Sequence, residues 1–390
     1  GDIHYYQDCP ERSQKFYFEF KNSLLREYTW ESVFRIRHSG GWKVNAIYGN
    51  YSVRLAGNLL GVPNMDDTKS FIYEFELEDE IYRFDIFYIQ TALLYTTSNG
   101  ERRIRVLNYG IPCVETIEEI HAHIDPQVLG CSILRQGLQK LYQGALLAEV
   151  RNFILSKTRL IYNEVCPKLP KTQVKSPESM VTFSLLMLGI LKHSLFIDNP
   201  KENNWDVKNA LRLKLNMLNV EETCQVFVPY LFAVHNLTEG DFATYTESEE
   251  FIFPPLLSLS TSSLQSDGIF LMDDACSLYL LVGSKVDPGI LKSLFGINDL
   301  NEVEVLNEDM MYSNPEDPLV TRVHNLISEL RSRKADQYTH LYIVKEGQQL
   351  PAEWEFFVRL IEDKLNIPGS YNVSFYEFVE SLSQPSMHKV

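Results

Sequence analysis

Apolar and polar residues alternate through the first 115 positions of the chain. The pattern holds in Lys15–Phe20, Ser32–Arg37, Phe71–Leu77 and Tyr82–Phe87. Successive side chains of a strand point to opposite faces, so each run predicts a strand with one buried face. Gly40-Gly41, Gly49-Asn50, Gly57-Asn58 and residues 61–67 separate the runs. Several short strands at close spacing predict an all-β sandwich. Gln90–Val106 reads as two strands joined at Ser98-Asn99-Gly100, because Asn-Gly tolerates the positive φ of a tight hairpin. In the second of these strands Ile104 and Val106 share one face, and Arg103 and Arg105 share the other. Two guanidiniums side by side on a sheet form a ready carboxylate site, or else simply a solvated outer face.

After Pro112 the period changes. Leu134, Leu138, Leu141, Ala145 and Ala148 lie three and four apart, and Leu147, Val150, Ile154 and Ile161 continue the stripe. This predicts one long amphipathic helix or two in line, ended by Pro167 and Pro170. Ser176 and Pro177 open another helix, with a body from Ser179 to Ser194. Helical patterns follow at 206–218 and 220–232, then a loop-rich stretch to 262. Beyond it, Gly268–Met272 and Ser277–Val282 read as strands about an Asp273-Asp274 turn. A helix is expected at Asp287–Leu294, a strand at Glu302–Leu306 and a helix at Pro318–Ser332. A strand at Thr339–Val344 and helices at Glu353–Leu365 and Ser374–Leu382 complete the pattern. Alternating strands and helices predict a mixed α/β domain. The fold class is therefore multidomain α+β: an antiparallel β-sandwich, an all-α helical domain and an α/β domain.

A length of 390 residues suits two or three domains. The formal net charge of −16 argues against nucleic acid as the main partner. A local basic patch at Arg102, Arg103 and Arg105 is compatible with that balance. Cysteines at 9, 113, 131, 166, 224 and 276 form no CxxC pair, so zinc spacing is absent. The longest apolar run, Met180–Leu191, is too short to span a bilayer. No phosphate-cradling glycine loop, dinucleotide fingerprint or nucleophile elbow occurs. His121, His123 and Asp125 read more simply as a polar corner than as metal ligands, and Asp273-Asp274 as a turn rather than a calcium site. Nothing nominates a nucleophile–base pair, so the chain is not expected to be an enzyme. It opens on Gly1 with no initiator Met, as a fragment of a longer protein would.

Several of these segments resemble one family. Gln90–Thr97 followed by Gly100–Leu107 resembles the Sec twenty-four family, the cargo-adaptor subunits of the COPII vesicle coat. Phe34–Ser39 with Tyr48–Asn50 resembles the preceding sandwich segment. Pro177–Ser179 and Leu186–Ser194 resemble the family's central helices, and Pro229–Leu237 the stretch leading out of them. Leu257–Ser260, Asp267–Asp274 and Tyr279–Gly283 resemble the opening of its gelsolin-like domain. The matches are collinear and cover nearly the whole chain. In one departure, Ala275-Cys276 stand where the family usually places a glycine.

The resemblance implies the end of a trunk domain at 1–10, a β-sandwich domain at 11–115 and a helical domain at 116–240. It further implies a gelsolin-like domain at 250–366 and a C-terminal helix at 367–390 packed on the helical domain. Arg103 and Arg105 match the arginines that bind acidic export signals of membrane proteins during ER-to-Golgi transport. The implied partners are the sister inner-coat subunit of the Sec twenty-three family, a Sar-type small GTPase, acidic cytosolic cargo tails and the outer coat. The implied location is cytoplasmic, peripheral on ER exit sites and COPII vesicle membranes. No cofactor is expected, since the family's zinc finger lies upstream. The alternative is the sister subunit itself, which activates the GTPase and shares an Arg-x-Arg-Val strand; Gln90–Thr97 favours the adaptor.

Overall fold

The computed structural model describes residues 4–6, 13–54, 59–78, 85–166, 178–197, 205–312, 314–334, 338–348, 351–365 and 369–383. Pro167, Pro170, Ser176, Pro177, Gly57-Asn58, Tyr82–Phe84, Cys9 and most of residues 1–10 lie outside them, as does the His121 side chain. The chain divides into two compact units. One holds residues 1–9, 20–183 and 200–220, the other 10–19, 184–199 and 221–390.

The chain enters through helix α1, Ser13–Leu25. The alternation at Lys15–Phe20 predicts a strand here. However, Phe16, Phe20 and Leu24 also recur every four residues, with no glycine or proline to interrupt them, and the helical period wins. The first unit then builds two sheets. Strands β1 (Thr29–His38), β2 (Trp42–Tyr48), β3 (Ser52–Arg54), β4 (Leu59–Met65), β5 (Ile72–Leu77), β6 (Ile86–Thr96) and β7 (Arg102–Pro112) follow in order. The larger sheet runs β3-β4-β1-β6-β7 and is antiparallel throughout; the smaller pairs β2 with β5. The two face each other across aromatic rings. Phe34 lies 6.0 Å from Phe71, Phe75 lies 5.4 Å from Phe87, and Trp42 lies 4.8 Å from Phe87. This is the sandwich that the period-two pattern predicts.

The described part of the first unit also holds α2 (Ile117–His123), α3 (Pro126–Tyr142), α4 (Leu147–Val165), the start of α5 (Glu178–Lys192) and α6 (Trp205–Leu215). The stripe from Leu134 to Ile161 is two helices folded on each other rather than one rod. Gly144, at φ 93°, turns the chain between them. A Cβ at Gly137 would stand 3.2 Å from both Val150 and Ile154, which shows how closely α3 meets α4. Asp125 caps α3 by accepting the Gln127 and Val128 N–H groups, with Pro126 in the first turn. Arg135 on α3 is fully buried and donates to Ser70 and to the Leu218 carbonyl.

The second unit takes the rest of α5, then α7 (Val220–Phe227) and strand β8 (Tyr230–Ala233). The helical pattern over 220–232 stops at Pro229. There the apolar Tyr230–Ala233 run pairs with Phe270–Asp273 instead of continuing as helix. Short strands β9 (Thr244–Tyr245) and β10 (Phe251–Ile252) precede β11 (Ile269–Asp273) and β12 (Ser277–Val282). Helices α8 (Pro288–Phe295) and α9 (Pro318–Ser332), strand β13 (His340–Lys345) and helices α10 (Pro351–Val358) and α11 (Phe375–Leu382) follow. The sheet order is β13-β12-β11-β8, antiparallel except for the parallel β12–β13 pair. Leu271 and Leu280 pack against Leu291, Leu294, Val323 and Ile327 on one face. Phe270, Met272, Tyr279 and Leu281 pack against Phe356 and Leu360 on the other.

Two further sequence expectations change in this unit. The strand expected at Glu302–Leu306 is a loop, because the buried Lys345 ammonium takes the carbonyls of Leu300, Val303 and Glu304 that a neighbouring strand would need. The helix expected to reach Leu365 ends at Val358, and the carbonyls of Ile361 and Asp363 turn to Lys192. The Asp273-Asp274 turn is neutralised internally. Asp273 accepts from Lys334 and the Ala275 N–H, while Asp274 accepts from Arg359 and the Cys276 and Ser277 N–H groups. Ala275 sits at φ 66°, a left-handed conformation that favours glycine.

Candidate functional site

The β6–β7 hairpin pairs without a break from Ile86↔Pro112 to Thr96↔Arg102. Its turn is fixed at Thr97. The Thr97 N–H donates to the Glu101 carbonyl at 2.9 Å, and the Thr97 carbonyl and hydroxyl accept from the Gly100 and Glu101 N–H groups. Gly100 has φ 84° with nothing near its Cβ position, so backbone strain alone opposes a side chain there. Gly100→Ala is expected to lower stability by about 1 kcal/mol, measured as a fall in the urea midpoint at constant slope.

β7 is an edge strand, and every residue in it is exposed. Partners across the ladder share a face. Arg105 lies opposite Leu93 and Arg103 opposite Tyr95, and Leu93 lies opposite Phe34 of β1. The arginines therefore stand on the face that packs against the smaller sheet, at the margin where β7 overhangs it. The opposite face carries Ile104, Val106, Arg35 and Arg37 and is the outer one; Ile104 is 69% exposed. A pattern of Ile-x-Val against Arg-x-Arg suggests the reverse. An edge strand beyond the second layer escapes the rule because neither of its faces is covered.

The structure also separates the arginines that the sequence groups together. Arg102 points to the outer face, where it donates to the Thr96 hydroxyl at 2.7 Å and to Glu31. Glu31 occupies an irregularity in β1 at φ 50°. Arg103 and Arg105 remain together on the inner face. Arg103 is paired with Glu101, and this carboxylate raises its pKa further above the ordinary guanidinium value. Arg105 has no hydrogen-bonding or ionic partner among the described residues. The sequence reading overlooks Glu101. Counting by twos back from Arg105 and Arg103, which share one face of β7, finds it just ahead of the strand.

The other candidates do not assemble into a site. Asp125 is a helix cap, and His123 is exposed at the end of α2. Among the described residues no three of His, Cys, Asp or Glu gather as a metal would require. Cys113, Cys131, Cys166, Cys224 and Cys276 form no disulfide among the described residues. No described helix is long and apolar enough to cross a membrane.

Residues 29–114 match the Sec23/Sec24 beta-sandwich domain. The span covers β1 to β7 and includes both arginines. Across 96% of its length the chain is 25% identical to the protein transport protein SEC24 of Yarrowia lipolytica. Over 98% it is 27% identical to human Sec24B, and over 95% it is 28% identical to SEC24 A of Arabidopsis thaliana. The chain is similar to Sec24 protein transport proteins over nearly its whole length. It spans 40%, 30% and 36% of the lengths of these three relatives. The fold agrees with that of the human COPII-coat protein Sec24c, with a TM-score of 0.80 over 95% of this chain and 47% of that one, at 23% identity. Along this chain the sandwich strands, the helices and the four-stranded sheet follow one another in that order. α1 lies ahead of the matched domain.

Proposed function

We propose that this chain is the cargo-recognising portion of a COPII coat adaptor, and that Arg103 and Arg105 contact acidic export signals. Likeness to Sec24 transport proteins over almost the whole chain carries this reading. Arg105 adds to it: an exposed guanidinium fixed on a paired strand, with no partner among the described residues, is preorganised for a carboxylate. Arg103 lies two residues away on the same face, roughly 6.8 Å along the strand. That pitch matches carboxylates at alternate positions of an extended peptide. The role is one of binding, and it requires neither a catalytic group nor a cofactor.

The same reading supplies the partners. They are a Sec23-type sister subunit, a Sar-type small GTPase, the outer coat and the acidic tails of membrane proteins, at the cytoplasmic face of ER exit sites and COPII vesicles. A net charge of −16 fits an adaptor whose basic surface is confined to one strip. The GTPase-activating alternative is disfavoured because the named relatives are Sec24 proteins rather than their sister subunit.

Titration of a fluorescent acidic peptide tests the site. Arg103→Ala/Arg105→Ala is expected to weaken binding about ten-fold with its circular dichroism spectrum unchanged. Equal binding by wild type and the folded double variant would overturn the assignment.

A further inference from the structure

We infer that Glu101 is a built-in competitor for the acidic ligand, occupying Arg103 until a segment with a second carboxylate displaces it. This inference rests on the reading of Arg103 and Arg105 as ligand contacts. Three observations support it. Arg103 and Arg105 share one face of β7, and Glu101, just ahead of the strand, reaches that face by pairing with Arg103. The Glu101 backbone is pinned by Thr97 through both its N–H and its carbonyl, so the carboxylate stays over the strand. The Glu101–Arg103 pair is open to water, with side chains 60% and 58% exposed. Exposed pairs of this kind are weak and exchange readily.

A consequence for specificity follows. The first carboxylate of an extended segment meets Arg105, which has no competing partner among the described residues. A second carboxylate must replace Glu101 on Arg103 and bear its repulsion. Glu101 thus sets a threshold against weakly acidic segments, and specificity arises from a repulsive element as well as an attractive one. Glu31 provides the contrast. It is also an acidic residue paired with an arginine of the hairpin, but that arginine, Arg102, points to the other face.

The experiment is fluorescence anisotropy of a fluorescein-labelled peptide of alternating glutamate and alanine, titrated with the 390-residue chain at low salt. Glu101→Gln keeps the shape and removes the charge. It is expected to bind about two- to five-fold more tightly than wild type, with the gain shrinking as salt is added. Glu31→Gln should match wild type, and the gain from Glu101→Gln should vanish in an Arg103→Ala background. Suppose that Arg103→Ala/Arg105→Ala loses binding while Glu101→Gln binds no better than wild type. The competitor role is then overturned and the arginine site stands. If neither wild type nor Glu101→Gln binds the peptide, or if the double arginine variant binds as wild type does, the site reading falls and the competitor role with it.

Discussion

Arg135→Ala is expected to destabilise the first unit by about 3–5 kcal/mol, the combined cost of a core cavity and unpaired acceptors. Arg135 is 1% exposed. One of its terminal nitrogens donates to the Ser70 hydroxyl and the Leu218 carbonyl, both at 2.6 Å, and the other to the Ser70 carbonyl at 3.3 Å. A single guanidinium thereby joins α3 to the turn entering β5 and to the chain leaving α6. Ser70 reinforces the junction through its own bonds to the carbonyls of Met217 and Leu218. Among the described residues no carboxylate pairs with Arg135 and its Nε has no partner, and burial lowers its pKa. Its charge is therefore itself a cost to the fold. That determines the order of the variants. Arg135→Met fills most of the volume without the charge and should cost less than alanine. Arg135→Lys keeps the charge but lacks the planar fork, and should recover little. Urea unfolding followed by tryptophan fluorescence reads this unit, which holds Trp30, Trp42 and Trp205. An alanine variant within 1 kcal/mol of wild type would show that water or side-chain rearrangement satisfies the acceptors.

Arg135 also marks where the sequence stops being readable. Its position on a helical stripe shows a residue of α3 but not that this cation would be buried. The sandwich, the α3–α4 stripe, β11, β12 and α9 were legible because each satisfies one period over a long enough run. Two of the misreadings share a cause. The 302–306 loop and the shortened α10 are each decided by a cation gathering backbone carbonyls from distant positions, Lys345 and Lys192, much as Arg135 gathers them beside α3. Local propensity carries no trace of such bonds. At the candidate site the sequence revealed which arginines share a face, because alternation is strict. It did not reveal which face was covered, because that depends on the two-stranded sheet being narrower than its five-stranded partner.

Lys192 offers a second test, this time with a pH signature. Its ammonium is 4% exposed and donates to the carbonyls of Ile361 and Asp363 at 2.7 and 2.5 Å. Lys192→Met is expected to cost about 2–4 kcal/mol at pH 7, because two bonds from a charged donor are lost and two carbonyls are left without it. Burial pushes the Lys192 pKa down from 10.5 to about 8, against the opposing pull of Asp363 and Glu377. The direction of the pH effect follows from linkage. Between about pH 8 and 10.5 the unfolded chain keeps this proton and the folded chain releases it. Stability attributable to the site must therefore rise with pH across that window and stay flat below it. The neutral amine still has two N–H groups for the two carbonyls, so the bonds survive the loss of charge. Tyr48 and Tyr73, whose pKa values burial raises, act in the opposite direction on the whole protein at high pH. They act equally on wild type and Lys192→Met, so the difference between the two isolates the lysine. Unfolding followed through Trp354, which lines the same cleft as Lys192, should show the gap in stability widening from pH 7.5 to 10. A gap that stays constant or narrows would mean that Lys192 keeps its proton in the folded protein, and that the carbonyl pair solvates the charge as well as water does.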